Sequence, residues 1–134
     1  MKVVIETPKY SFVKYARKNG KYVKAMTSPF PTLFNYGFIK GKAGKDGMPK
    51  DCIVLGGRLE QGVEIEFEMR GEVKFIDDGR EDDKTIFSLK EKIIASDKLR
   101  IRIFFTIYAL YKKARYLLKE QRTARCRYNG FCLL

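Results

Sequence analysis

The sequence predicts a mainly β (α+β) domain: a small barrel of short strands closed by one long helix packed against it. Three observations carry that class. Short runs rich in Val, Ile, Tyr and Phe, each ended by Gly, Pro, Asn or Asp, recur from the N-terminus to about residue 89. Residues 63–70, Val-Glu-Ile-Glu-Phe-Glu-Met-Arg, alternate strictly between apolar and charged, with the period of a strand. From about Ser96 the period changes to that of a helix and holds to about Gln121. At 134 residues the chain suits one domain, 1–134, and its 45% hydrophobic content favours a packed core over disorder.

The elements follow in order. Val3–Glu6 is a short strand, ended by Thr7-Pro8. Phe12–Tyr15 and Tyr22–Met26 form a hairpin, because Asn19-Gly20 between them is a strong two-residue turn signal. Pro29 and Pro31 break the pattern before Asn35–Ile39, and Asp51–Leu55 follows a Gly/Pro turn. In 63–70 the apolar Val63, Ile65, Phe67 and Met69 face inward. Val73–Ile76 and Thr85–Leu89 are the last strands. Ser96 or Asp97 caps the helix, whose apolar positions Ile103, Ile107, Leu110, Ala114, Leu117 and Leu118 recur at helical spacing. The tail Tyr128–Phe131 is expected to be a turn rejoining the body.

Composition narrows the chemistry. No apolar run approaches the ~20 residues that a membrane span needs, and the first ten residues meet an acid and a proline too early for a secretory signal. The chain has no histidine, so histidine-ligated zinc and histidine base chemistry are excluded, and any metal is a hard cation held by oxygens. Three cysteines, Cys52, Cys126 and Cys132, form neither a CxxC pair nor an even framework, which favours reduced thiols and a cytoplasmic setting. A formal net charge of +12, concentrated in the C-terminal third, favours anionic partners: phosphate, pyrophosphate, nucleotides or nucleic acid.

On this basic chain two turns gather acids. One is Asp46-Gly-Met-Pro-Lys-Asp51; the other is Asp77-Asp-Gly-Arg-Glu-Asp-Asp-Lys84. Each opens from an apolar strand that fixes its position. Brought together, such carboxylates repel one another, and divalent cations remove the repulsion. Lys14, Lys24 and Lys84 lie in or beside strands among these acids. Metal-bearing carboxylates surrounded by lysines suit a phosphate anhydride.

The order V-V-I-E-x-P at 3–8, K-Y at 14–15, N-Y-G-F-I at 35–39, D-G-x-P-x-D at 46–51 and G-x-V-K-x-x-D-D-x-x-E-D-x-K at 71–84 resembles the soluble family I inorganic pyrophosphatases. The resemblance implies an OB-like five-stranded β-barrel with a C-terminal helix packed against it, magnesium (with manganese as a substitute), pyrophosphate and phosphate as ligands, and a homo-oligomer, a hexamer. It implies that Asp46, Asp51 and Asp82 bind the principal metal, Asp51 bridging to a second. Asp77 and Asp82 would hold a third, with Glu6 an outer carboxylate acting through water. Lys14, Lys24, Tyr36 and Lys84 would bind the phosphates.

Departures from the family pattern matter. Met48 stands where the family has the aspartate that orients and deprotonates the attacking water, and Ala16 where it has a glutamate; Lys50 replaces an apolar residue. Losing a general base costs roughly 10²–10⁴ in rate. No residue is therefore assigned as catalytic, and slow magnesium-dependent hydrolysis of pyrophosphate to two phosphates is the expectation. The family's phosphate-binding Tyr-Lys on the helix has two registers here. Phe104-Phe105 makes Tyr108 its counterpart; the alternative, preferred, is Tyr111-Lys112, one turn on. Two other readings stand beside hydrolysis. One is a pyrophosphatase-like protein that binds phosphate, pyrophosphate or nucleotide without turnover. The other, disfavoured because acids crowd the turns that would face a strand, is a basic OB-like nucleic-acid-binding module.

Overall fold

The computed structural model describes residues 1–44, 47–119 and 126–134, with the backbone alone at Lys119. Ten strands and one helix follow in chain order: β1 Lys2–Thr7, β2 Val13–Lys18, β3 Lys21–Thr27, β4 Asn35–Ala43, β5 Pro49–Leu55, β6 Glu64–Glu66, β7 Gly71–Asp77, β8 Arg80–Glu81, β9 Lys84–Ser88, α1 Ala95–Lys119 and β10 Arg127–Leu133. The main sheet runs β10-β7-β9-β5-β4-β1-β6, with β8 a short hairpin return on β7 and β2-β3 a separate two-stranded ribbon. Pairing is antiparallel except between β5 and β9.

The mainly β class with one C-terminal helix holds, but the sheet is open rather than closed into a barrel, and it is larger than five strands. The 63–70 segment also departs from a regular strand. Its alternation is real, yet only Glu64–Glu66 ladders against β1. Val63, Phe67 and Met69 instead pack as a strap over a core of Val3, Ile5, Ile39, Cys52, Val54 and Phe87. The tail is also a strand, not a turn: β10 pairs with β7 and forms the far edge.

Strand β5 shows why a short apolar run sits at the centre. Cys52 and Val54 face the strapped core, whereas Ile53 and Leu55 face the aromatic core under α1. A strand buried on both faces is expected to lack polar alternation. On the helix side, Ile101, Phe104, Phe105, Tyr108 and Ala109 close over Phe34, Phe75 and Ile86. Phe34 stacks on Phe105 at 5.6 Å and meets Phe104 edge-on at 4.8 Å, a geometry worth ~0.5–1.5 kcal/mol per pair beyond area burial.

That packing reverses the expected facing of α1. The periodic aliphatic set Ile103, Ile107, Leu110 and Leu117 points to solvent, Leu110 being 64% exposed. The aromatic stripe wins the core because its side chains bury more area. The cap also differs from expectation: Asp97 accepts a hydrogen bond from Ile94 N at 3.0 Å, so it reaches back from inside the first turn, and Lys90 pairs with it at 2.6 Å.

Gly20 and Gly37 are among the glycines that geometry requires. Asn19 and Gly20 both have positive φ, 52° and 76°, as the tight β2–β3 turn demands. A Cβ on Gly37 would lie 2.1 Å from the Val4 carbonyl oxygen, so only glycine lets β4 approach β1 there.

Candidate active site

The site is organised around one ammonium. Lys84 opens β9, is 1% exposed, and donates to Asp51 Oδ2 at 2.9 Å; Asp82 Oδ2 lies 2.6 Å from the same Nζ. β5 supplies Asp51 beside Cys52, and the β8–β9 turn supplies Asp82. Burial disfavours the Lys84 charge, but Tyr36, Asp51 and Asp82 outweigh it and hold its pKa well above the ordinary lysine value. Burial likewise opposes ionisation of Asp51, and Lys84 and Lys14 reverse that, leaving its pKa below the ordinary value.

The ribbon β2-β3 and the helix bring a second group of cations to the same place. Tyr15 N donates to Thr7 Oγ1 at 2.9 Å and Arg17 N to Glu6 Oε2 at 2.7 Å, docking β2 on β1. Lys14 Nζ then reaches 3.1 Å from the Tyr108 hydroxyl and lies 4.2 Å from the centre of the Tyr36 ring. Tyr108 is buried, which alone would raise its pKa, yet Lys14 and Lys112 pull it below the ordinary phenol value. Tyr36 behaves oppositely: burial pushes its pKa far up, and its hydroxyl has no hydrogen-bond partner among the described residues.

Lys112, one turn beyond Tyr108, bonds closely to Asp77 Oδ2, while the Tyr116 hydroxyl donates to Asp77 Oδ1 at 2.8 Å. Cys126 Sγ sits 3.8 Å from the same oxygen. Burial opposes the charges on both partners; Lys112 nevertheless holds Asp77 below the usual carboxylate range, and Tyr108 and Asp77 push Lys112 above the usual ammonium range.

Between these groups lies a cleft of about 420 Å³. Glu6, Lys14, Asp51, Tyr108 and Lys112 line it, with Met48 and Ala16 on its wall. Asp51 also lines a smaller adjoining hollow of about 50 Å³, together with Glu72, Glu81, Asp82 and Asp83. Lys50 lies there as well, paired with Glu72 at 3.1 Å.

The structure thus brings together Glu6, Asp51, Asp82, Lys14, Lys84, Tyr36 and Lys112. Asp46 lies outside the described residues. Asp77 is turned toward α1, with both oxygens engaged. Lys24 is exposed on β3 and is not among the residues lining the cleft. Tyr111 is also elsewhere: its hydroxyl donates to Thr27 O at 2.8 Å and its ring meets Phe30 edge-on, so the cleft takes Tyr108 and Lys112, four apart on one face. Sequence reasoning missed Arg17, Lys18, Arg115 and Tyr116, all of which line the cleft. The helical spacing of Tyr108, Lys112, Arg115 and Tyr116 was the signal that would have found the last two.

Among the described residues no three Asp, Glu, Cys or His side chains group closely enough to hold a metal ion. The donor chemistry nonetheless fits a hard divalent cation. Asp51 and Asp82, half-buried oxygen donors, already converge on a single positive charge, that of Lys84.

A family model described as inorganic pyrophosphatase matches residues 3–121. Among solved structures, an inorganic pyrophosphatase from Thermus thermophilus is 26% identical, with a TM-score of 0.79 over 98% of this chain and 80% of that one. An inorganic phosphatase from Anaplasma phagocytophilum is 23% identical, with a TM-score of 0.78 over 98% of this chain and 82% of that one. An inorganic pyrophosphatase from Helicobacter pylori gives 22%, 0.78, 98% and 82% for the same quantities. These last two show likeness of fold. No curated protein matches the chain.

The chain belongs to the inorganic pyrophosphatase family. Membership makes it by resemblance an inorganic diphosphatase, of a family that hydrolyses pyrophosphate and depends on metal, generally magnesium. No helix among the described residues is long and apolar enough to cross a membrane.

Proposed function

We propose that this chain hydrolyses inorganic pyrophosphate to two phosphates with magnesium, and does so slowly. One observation carries the reading: Asp51 belongs both to the lysine-lined cleft and to the acid-lined hollow, so anion-binding and cation-binding surfaces meet at one residue. Asp51 and Asp82 would hold the principal ion with Asp46, Asp77 would contribute to a further one, and Glu6 would act through water. Bound magnesium neutralises phosphate oxygens and acidifies water.

The chain's own groups do the rest. Lys14 and Lys112 bind the departing phosphate, and their fixed positions against Tyr108 and Asp77 mean that little reorganisation accompanies the charge that develops there. Tyr36 offers a buried hydroxyl behind Lys14. Lys84 holds the two aspartates in place. Met48 has a thioether where proton abstraction is expected, and Ala16 has no side-chain acceptor, so the proton leaves without help from either position. That is the physical basis of slowness, ~10²–10⁴ below a site with its base intact.

The exposed aliphatic stripe of α1 supports self-association through the helix, with a second copy covering Ile103, Ile107, Leu110 and Leu117. Phosphate release from pyrophosphate by purified protein with magnesium tests the main reading. A rate equal to a metal-only control ends it. Met48 favours one rival, binding without turnover, which calorimetry separates: tight binding of intact pyrophosphate in the presence of magnesium establishes the rival.

A further inference from the structure

The cleft is larger and more cationic than a pyrophosphate needs. Its volume of about 420 Å³ falls within the range of ~300–1,000 Å³ typical of sites for drug-sized ligands. Pyrophosphate held by Lys14 and Lys112 occupies only the inner end. Two elements carry further positive charge outward from there. Along β2, Lys18 follows Lys14 by four residues on the same face of the strand, roughly 13 Å of extended chain. Along α1, Arg115 follows Lys112 by three residues, ~4.5 Å of rise on nearly the same face. Four cationic side chains, Lys14, Lys18, Lys112 and Arg115, therefore line the cleft against two carboxylates, Glu6 and Asp51.

The wall between these cations is apolar. Met48 is 60% exposed and lines the opening, with Ala16, Ala25 and Met26 beside it. Two of these, Met48 and Ala16, stand at positions where resemblance to the family leads one to expect carboxylates. The substitutions remove negative charge from the mouth of an anion site and leave methyl and thioether surface. An inorganic polyphosphate chain gains nothing from such a surface. A flat apolar group attached to the anhydride does, by burial and by contact with a polarisable thioether. Tyr116 also lines the cleft and adds ring surface to it.

We infer that the preferred substrate of this cleft is a nucleoside triphosphate, cut at its terminal phosphate. The inference rests on the phosphoanhydride-hydrolysing reading above and replaces only the substrate. Lys14 and Lys112 hold the terminal and middle phosphates, Lys18 and Arg115 the innermost, and the base lies along the Met48 wall. Water oxygen bonds to the terminal phosphorus and the bridging P–O bond breaks. The nucleoside diphosphate leaves, and the water's proton passes to solvent, with no change of oxidation state.

The test compares phosphate release by the full chain, with magnesium, from ATP, tripolyphosphate and pyrophosphate. The expected kcat/KM for ATP exceeds both others by about tenfold, the worth of a charge-assisted contact of ~1.4 kcal/mol. Arg115→Ala, checked for folding by circular dichroism, raises the ratio of KM for ATP to KM for pyrophosphate by about the same factor. Met48→Asp shifts preference toward pyrophosphate. If tripolyphosphate or pyrophosphate matches ATP, the nucleotide inference fails, and pyrophosphate hydrolysis stands where pyrophosphate itself is turned over. Turnover of ATP without turnover of pyrophosphate supports the inference and removes the pyrophosphate reading. No release from any of the three, with no calorimetric binding of β,γ-imido-ATP, overturns both.

Discussion

Replacing Lys84 by methionine isolates what the central ammonium does. The new side chain fills the same space without charge, so the loss is electrostatic. Lys84 Nζ lies 2.9 Å from Asp51 and 2.6 Å from Asp82, which confines the two carboxylate oxygens to a short separation across it. Two like charges ~5 Å apart at an effective dielectric constant of ~20 repel by roughly 3 kcal/mol. Removing one partner of a buried ion pair typically costs ~3–5 kcal/mol, which agrees. Urea denaturation of Lys84→Met in a chelator should therefore show a loss of roughly 3 kcal/mol relative to the parent. Excess magnesium should restore at least half of it, because the freed carboxylates then bind a divalent cation instead of an ammonium. The parent should gain less from the same addition. A loss below ~1 kcal/mol, or one that magnesium leaves unchanged, refutes the claim that these acids share a cation pocket.

Three further outcomes are expected. Met48→Asp should raise phosphate release from pyrophosphate by ~10²–10⁴; a folded variant with no gain shows that position 48 does not face the attacking water. Asp97→Asn should cost about 1 kcal/mol at neutral pH by weakening the start of α1. Burial opposes ionisation of Asp97, but bonds from Lys90 and Ile94 depress its pKa below the ordinary 3.8, so its contribution is complete above that value and lost as pH falls through the folded pKa. Urea midpoints should thus differ at pH 7 and converge in strong acid; a gap that persists there contradicts the cap. On the self-association proposed through α1, Leu110→Glu should give smaller species than the parent by light scattering, and an unchanged mass excludes the α1 stripe as the contact.

Much of the fold was legible because its signals were local. Asn19-Gly20 demanded a tight hairpin, and the run Cys52–Leu55 demanded a buried strand; both are present. What was not legible depended on competition between segments. The alternation in 63–70 identifies an inward face but not whether the backbone ladders or merely crosses, and here a core of Val3, Ile5 and Phe87 takes its side chains as a strap. Helix α1 carries two apolar faces, and periodicity alone cannot rank an aliphatic stripe against an aromatic one. Phe34 and Phe75, distant in sequence, decide it. For the site, acids and lysines were identifiable from turns and strand ends. Their pairing was not: nothing local announces that Lys112 will bond Asp77 or that Tyr116 will join it.

That last pairing changes how the acids of this chain behave as a set. Asp51 and Asp82 face one shared ammonium, whereas Asp77 has an ammonium and a phenol to itself. A cation arriving at Asp51 and Asp82 would have only to displace or share Lys84, whose further neighbours include Tyr36, Tyr108 and the Phe75 ring. A cation arriving at Asp77 must part it from Lys112, whose pKa Tyr108 also raises, and disturb the side chain that holds the cleft's inner cation in place. Under the roles proposed for them, cation binding at Asp77 and anion binding at Lys112 would therefore be linked. With Lys112 held in place and shared between the two, a cation on Asp77 and an anion on Lys112 would each loosen the other's hold on the ion pair, and linkage makes that coupling reciprocal.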